Sequence, residues 1–596
     1  MGSIIPLKIN FMTVKLIKRF ILVYLLVFGI LTAQAQQEVT IKILETSDVH
    51  GAIYPYDFIR NVPADGSLAR VYTYIKQERS NPHQQVVLLD NGDILQGQPT
   101  VYYSNFIDST NANIVSQVLN YMGYDAATVG NHDIEAGPAV YRKVEQELKF
   151  PWMAANAIST VTGKPAFKPY HVLERNGVRI AVLGLITPGI PKWLPKILWP
   201  DMQFTDMVES ARYWVEYIQK EEKPHVIVGL FHSGYDSSYG GTGAKEYLNE
   251  NASLLVARQV PGFDVILIGH DHKRYASKVA NSKGDSVLVL DPGASARLLS
   301  EATITLTLNE HGMVESKMVD GRLVEMKNFK PDTAFMEHFA EFYNKVAHFV
   351  NRPIGWFTKP ISSANAYFGP TEFMDFIHDV QLHISGADVS FAAPLSFVSS
   401  IDSGEITVSD MFKLYRFENF LYTMKLTGKE IDGFLEHAVS LWFNTMTGPN
   451  DNLIRFVDDN GRKRLYANYY NFDSAAGIYY TIDVSKPAGD RVTVTSMANG
   501  TPFDLNKTYS VAINSYRGNG GGGHLTEGSG IPHAELEKRM VRSTDKDLRL
   551  YMMKYIEKQG VLTPQCHYFW NIVPQEWVNS AIERDRKILF SSRPND

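Results

Sequence analysis

Five short blocks in the first half of the chain carry residues able to bind metal ions: Asp48-Val-His50, Gly92-Asp93, Gly130-Asn131-His132-Asp133, His232-Ser-Gly and Gly269-His270-Asp271-His272. They offer seven candidate ligands, namely Asp48, His50, Asp93, Asn131, His232, His270 and His272. That is enough for two ions sharing one carboxylate. The chemistry suited to such a pair is phosphate-ester hydrolysis, which needs an oxygen nucleophile at neutral pH and neutralisation of the phosphoryl oxygens. Two divalent ions about 3.5 to 4 Å apart meet both needs when a carboxylate bridges them. Gly92 permits the tight turn that would aim Asp93 out of a strand end, so Asp93 is the expected bridge. Asp48 and His50 can clasp one ion from one side of a strand end, and His270 and His272, with the same spacing, can reach one ion each. Asn131 offers an amide oxygen and His232 an imidazole nitrogen. Such mixed nitrogen and oxygen sets accept zinc, manganese, iron or cobalt without selecting sharply among them.

The elements that must position these residues are short apolar runs rich in β-branched side chains, the mark of buried strands. Thr40 to Leu44 precedes Asp48, Val86 to Leu89 precedes Asp93, and Ala126 to Val129 precedes Asn131. Val226 to Leu230 precedes His232, and Val265 to Ile268 precedes His270. Every candidate ligand therefore sits at the carboxyl end of a strand, the edge where open α/β sheets bind ligands. Helical patterns at Asn113 to Met122, Pro138 to Leu148 and Met207 to Lys220 alternate with the strands, giving the region α/β character.

At 596 residues the chain is too long for a single core and should divide in two. Residues 38–325 form the expected catalytic domain. A helix-favouring stretch, Asp332 to Val350, falls within an expected connector at residues 326–353. A mixed α+β domain follows at 354–560, with helices at Thr371 to Leu382 and Gly428 to Val439 and strands at Ile478 to Asp483, Val492 to Val494 and Tyr509 to Ile513. Residues 561–596 form a tail to which the sequence assigns no role. A net charge of -6 argues against a grip on nucleic-acid polymers, which need a basic surface. Small nucleotides remain compatible with it.

Lys15, Lys18 and Arg19 are followed by an apolar run from Phe20 to Leu31 and then by Ala33-Gln34-Ala35. This is the pattern of a secretory signal peptide over residues 1–35. It predicts an exported protein, periplasmic in a Gram-negative bacterium or secreted, and free of the membrane once the segment is removed. The single cysteine, Cys566, excludes an intramolecular disulfide and is expected to be an ordinary buried thiol.

The order D-x-H, G-D, G-N-H-[DE], H, G-H-x-H resembles the calcineurin-like metallophosphoesterases. The resemblance implies a four-layer β-sandwich flanked by helices for the first domain. It also implies one ion held by Asp48, His50, Asp93 and His272 and a second held by Asp93, Asn131, His232 and His270. His132 would then contact the phosphate and protonate the leaving oxygen. In the 5'-nucleotidases of this family an aspartate three residues on pairs with that histidine. Here the position is Glu135, whose longer side chain either orients the imidazole or leaves the pairing unmade. Asp133 reads as a helix-start carboxylate.

The similarity continues through Asp90 to Gly97, Ile401 to Gly428, Asn471 to Asp483 and Asn514 to His524. These segments resemble the exported two-domain nucleotidases, among them the 2',3'-cyclic-nucleotide 2'-phosphodiesterase/3'-nucleotidases. By that resemblance Tyr516 and Phe417 would sandwich a nucleobase, with Tyr415 a competing candidate. Asn514 and Arg517, beside Tyr516 in the sequence, are further candidates for contact with sugar or base. Two departures bear on substrate. Where 5'-nucleotidases carry an Asn-Gly-Gly-x-Arg segment this chain has Ala392-Ala-Pro-Leu-Ser396, and its glycine turn, Gly520 to Gly523, lacks their aspartate. Both favour the cyclic-phosphodiesterase branch over a 5'-nucleotidase or UDP-sugar hydrolase. A nucleotide-binding protein without turnover is the rival of another class.

Overall fold

The computed structural model describes residues 37–238, 247–459 and 461–591. The expected signal peptide lies outside the described residues, and none of their helices is long and apolar enough to cross a membrane.

All five ligand-bearing runs are strands: Gln37–Thr46, Gln85–Asp90, Ala126–Thr128, Val226–His232 and Val265–Ile268. They divide between two six-stranded sheets. In the first, Gln37–Thr46 runs parallel to Gln85–Asp90 and antiparallel to Leu298–Leu308. In the second, Val226–His232 lies between parallel partners Val178–Ile186 and Val265–Ile268. The sheets face one another, with Ile41, Ile43, Val87 and Leu89 of one packed in a common core with Ile180, Val182, Val228 and Leu267 of the other.

Helices cover the outer faces. Leu68–Arg79, Ile114–Met122 and Pro138–Glu147 pack on the first sheet, and Met207–Glu221 and Ser253–Gln259 on the second. The result is four layers, helix, sheet, sheet and helix. Local chemistry sets the ends: Asn113 accepts a hydrogen bond from Val115 N to start its helix, and Gly123, at φ 71°, ends it.

The stretch expected as one connecting helix is two, Thr333–His338 and Ala340–Val350, separated at Phe339. It is no loose linker. Phe335, Phe339, Val346 and Phe349 are buried in a core that extends from Leu44 and Val101 to Ile406 and Met552. In the second half a five-stranded sheet is ordered Ser474–Ala476, Val389–Ala392, Thr508–Asn514, Leu421–Thr427, Met540–Ser543. The helices Glu372–Ser385 and Gly428–Trp442 fall where their periodicity predicts. Residues beyond Gly560 are built into this half. Val561–Leu562 pairs with Pro353–Phe357, Trp570–Val573 runs parallel to Ile478–Asp483, and the helix Gln575–Ser591 presents Asp585 to Ile454 N at 2.7 Å. Cys566 is half-buried and free, and burial pushes its thiol up to about 11.

Candidate metal centre

The seven candidate ligands converge where the carboxyl ends of both sheets meet. Asp48, His50, Asp93 and Asn131 come from the first sheet, and His232, His270 and His272 from the second. Among the described residues two groups bring their ligand atoms within 4.8 Å of one another: Asp48, His50, Asp93 and His272, and Asp93, His232 and His270. Asp93 belongs to both. Asn131 joins the second group, its Oδ1 lying 3.1 Å from His232 Nε2 and 2.8 Å from His270 Nδ1.

Five of the seven ligands hold left-handed backbone: Asp48 (φ 49°), His50 (48°), Asp93 (55°), His270 (82°) and His272 (58°). Each such residue costs about 1 to 2 kcal/mol. The conformation turns successive side chains off a strand end toward one point. The flanking glycines serve close approach: a Cβ on Gly130 would sit 2.2 Å from Asp93 Oδ1, and one on Gly269 would sit 2.5 Å from Asp48 Oδ2.

Backbone partners fix the imidazoles. His232 Nδ1–H donates to Asn91 O at 2.6 Å and His50 Nδ1–H to Gln96 O at 3.0 Å, which turns each Nε2 toward the centre. Asp133, read from sequence as a helix-start carboxylate, does more. It accepts from the backbone N–H groups of Gly130 (2.8 Å), Asp93 (2.9 Å), Ile94 (3.0 Å) and Leu95 (3.0 Å), clasping two ligand loops together. The two sheets are joined by His270 N, which donates to Asp48 Oδ2 at 3.0 Å.

The electrostatics of the centre suit cations. Burial and His272 drive His50 down to about 4, and burial and His232 drive His270 down to about 3, so both imidazoles keep a free lone pair. Burial would likewise lower His232, but Asp93 and Asp48 outweigh it and raise it to about 9. Asp93 Oδ2 lies 3.1 Å from His232 Nε2 yet accepts no hydrogen bond among the described residues, an orphaned oxygen in a fully buried carboxylate. Divalent ions would satisfy it, and the donor set of carboxylate, imidazole and amide oxygen fits them.

His132 stands beside the centre, its backbone N–H donating to Asp93 Oδ1 at 2.7 Å. Its Nδ1 pairs with Glu135, so the longer carboxylate does reach the imidazole. Burial opposes charge on this ring, but Asp93 and Glu135 prevail and raise it to about 10. From the second half, Glu418 is buried 3.5 Å from Arg549 Nη1 and is held up to about 8, first by burial.

The second-half candidates belong to neither ligand group and are used differently. Tyr516 is half-buried on the short helix Ser515–Gly518, and a Cβ on Gly521 would meet its ring at 2.6 Å. Phe417 is half-buried against the large core, whereas Tyr415 is buried within it. Asn514 caps the Tyr516 helix by accepting from Arg517 N at 2.9 Å. The Arg517 guanidinium is 2% exposed and committed within the protein, to Asp473 Oδ2 (2.8 Å), Asn471 Oδ1 (3.1 Å), Gly521 O (3.1 Å) and Tyr470 O (2.5 Å). Asn514 and Arg517 thus shape the turn that presents Tyr516. Sequence reasoning missed Asp473 and Asn471, which sit in a segment singled out only for resemblance, and Trp193, which no motif marks.

Comparison with known proteins agrees with this architecture. Residues 41–274 match the calcineurin-like phosphoesterase family model and residues 346–527 the 5'-nucleotidase C-terminal domain model. The chain belongs to the calcineurin-like phosphoesterases, hydrolases of phosphate esters. It has their two-domain 5'-nucleotidase form. It is 26% identical to the trifunctional nucleotide phosphoesterase protein YfkN of Bacillus subtilis over 92% of its own length, though it spans only 40% of that protein. It is 26% identical to the 2',3'-cyclic-nucleotide 2'-phosphodiesterase/3'-nucleotidase of Yersinia enterocolitica, covering 95% of this chain and 92% of the relative. Its fold is shared with the 5'-nucleotidase precursor of Thermus thermophilus at a TM-score of 0.62 and 22% identity, over 90% of this chain and 100% of that one.

Proposed function

We propose that the chain is an exported, two-metal phosphoesterase of nucleotides that opens the 2' bond of 2',3'-cyclic nucleotides and then removes the 3'-phosphate. The observation carrying this reading is the pair of ligand groups that share Asp93 beside the His132–Glu135 pair. Asp48, His50, Asp93 and His272 would hold one divalent ion, and Asp93, Asn131, His232 and His270 the other. Bound there, such ions supply Lewis acidity, neutralising phosphoryl oxygens and lowering the pKa of the attacking water.

The rest of the work falls to the chain's own side chains. Glu135 holds His132 Nδ1, so Nε2–H is free to donate to the departing ribose oxygen. Asp133 keeps the Asp93 and Asn131 loops in register while charge moves at the phosphate. Tyr516 and Phe417 take the nucleobase, and Asn514 and Arg517 act from beneath by holding the Tyr516 turn. The cyclic and 3' preference is supported by Ala392 to Ser396 standing where a 5'-nucleotidase carries its Asn-Gly-Gly-x-Arg segment. The name and near-full-length coverage of the Yersinia enterocolitica relative support it too.

Hydrolysis of 2',3'-cyclic AMP, 3'-AMP and 5'-AMP by the purified chain, before and after chelation and after restoring zinc, manganese or cobalt, tests the reading. The expected order is cyclic and 3' substrates well above 5'-AMP, with activity lost on chelation and regained with metal. Preference for 5'-AMP would move the chain to the 5'-nucleotidases. Base binding without hydrolysis would make it a binding protein. Export is tested separately, by a mature chain that begins at Gln36 outside the cytoplasm.

A further inference from the structure

Trp193 ends the short helix Ile190–Trp193, a segment outside every ligand block. Its indole lies on the His270 imidazole, ring centroids 5.5 Å apart and planes 24° from parallel. The indole is also braced from behind: a Cβ on Gly189 would stand 2.4 Å from Trp193 Cη2 and 2.6 Å from Cζ2, so only glycine leaves room for it. His270 has one hydrogen bond from its ring, Nδ1 to Asn131 Oδ1 at 2.8 Å, and an edge contact with His232 at 5.4 Å. Unlike His232 and His50, it meets no backbone carbonyl among the described residues to fix its plane. A hydrogen bond through one nitrogen leaves the ring free to swing about that axis, and the stacked indole removes that freedom.

The same short helix packs against Ser515–Gly518, which carries Tyr516. One four-residue element therefore touches a candidate metal ligand on one side and the candidate base platform on the other. We propose that Trp193 is a positioning residue, holding His270 in the plane that binds the second ion and linking that ion to occupancy of the Tyr516 turn. The link to the turn rests on the nucleotide reading above, whereas the hold on His270 does not.

The test is calorimetric titration of the metal-free full chain with Mn²⁺. Wild type is expected to bind two ions. Trp193→Ala should weaken one of them about tenfold, within the 10- to 100-fold range for residues that orient metal ligands, and leave the other within twofold. His270→Ala identifies the affected site by abolishing the same binding step. Gly189→Val should weaken it as Trp193→Ala does, by displacing an indole that is still present, and Trp193→Phe should retain most of the affinity. Wild-type affinity for both ions in Trp193→Ala would overturn the proposal, as would weakening of both ions alike in a variant whose circular dichroism and melting match wild type. For the link, adenosine should tighten the His270 step in wild type and not in Trp193→Ala, since coupling between two sites is reciprocal. Equal tightening in both proteins would overturn the link. Absence of adenosine binding to wild type would instead count against the nucleotide reading and leave the metal result standing.

Discussion

The two halves of this molecule handle awkward backbone in opposite ways. At the metal centre the left-handed conformations fall on Asp48, His50, Asp93, His270 and His272, the residues whose side chains are needed there. At the Tyr516 turn they fall on Gly520 (φ 100°), Gly522 (73°) and Gly523 (76°), and the working side chain is borne by an ordinary short helix. Glycine would relieve the strain at the centre but would remove the ligand. Five strained residues at about 1 to 2 kcal/mol each sum to roughly 5 to 10 kcal/mol. A two-sheet core in which each buried Val, Leu or Ile contributes about 1.5 to 3 kcal/mol can hold such residues in place. The turn is held differently, by Leu525 buried in the second-half core, by His437 Nε2–H donating to Gly522 O at 3.0 Å and by the Arg517–Asp473 pair. Rigid strained ligands against a glycine-built platform is the arrangement expected when one region positions charge and the other fits a flat ring.

The largest effect should come from separating these two jobs. Asp93→Asn removes the charge shared by both ligand groups and should cost about 4 kcal/mol of transition-state stabilisation, a factor of ~10³ in kcat/KM, on every ester tested. Tyr516→Ala should raise KM for nucleotides by the ~1 to 3 kcal/mol of one base stack while leaving turnover of bis(p-nitrophenyl) phosphate, which has no base, unchanged. Steady-state kinetics on both substrates checks the division. If Tyr516→Ala slowed the base-free ester as much as the nucleotide, the two regions would not be independent and the comparison would break.

A smaller effect sharpens the metal side. Glu135 occupies a position where related 5'-nucleotidases carry aspartate, and here it pairs with His132. Shortening it in Glu135→Asp withdraws the carboxylate by one methylene, so the variant that restores the usual residue should be the slower enzyme. A loss of about 10- to 100-fold in kcat is expected for nucleoside leaving groups, part of the 10² to 10⁴ that a positioned acid contributes. The loss should be small for p-nitrophenolate, which departs without a proton. Unchanged turnover of 2',3'-cyclic AMP in Glu135→Asp would show that the reach of Glu135 is not used.

The two regions were also unequally legible. The ligands of the centre could be read in order because each follows a β-branched run that ends in a turn, a pattern local in sequence. What the pattern does not carry is that these strands belong to two sheets, since the inter-sheet core of Ile43, Val87, Val182 and Leu267 is assembled from segments far apart in the chain. Asp133 is the helix-start carboxylate its position predicts, accepting from Gly130 N, but its other three N–H partners appear only when the Asp93 loop folds over it. In the second half Arg517 and Asn514 looked like ligand contacts because polar side chains beside an aromatic and a glycine turn suit a pocket. Both are committed instead to Asp473, Asn471 and the local backbone, partners that tertiary packing brings to them. The two strands after Gly560 were unreadable for a different reason: they are two and four residues long, too short for alternation to register, and are strands only because Trp356 and Ile482 offer edges to pair with.

The smallest effect probes the glycine platform itself. Gly521 differs from its neighbours in having no left-handed φ, so alanine there meets no backbone penalty. What it meets is the Tyr516 ring, with its Cβ 2.6 Å from Cζ and 2.7 Å from Cε1 and Cε2, distances real contacts do not sustain. The ring must move. Gly521→Ala should therefore leave the melting temperature within a few degrees, keep kcat on the base-free ester, and raise KM for nucleotides about tenfold, equivalent to ~1.4 kcal/mol of the stack. Gly523→Ala is the counterpart: its φ of 76° makes a Cβ strained, and the nearest atom is the carboxyl of Glu527 at 3.0 Å, with no ring in the way. That variant should lower stability by about 1 kcal/mol and disturb nucleotide KM less. Were the two glycines to exchange these signatures, the platform would be a conformational hinge and not a seat for the Tyr516 ring.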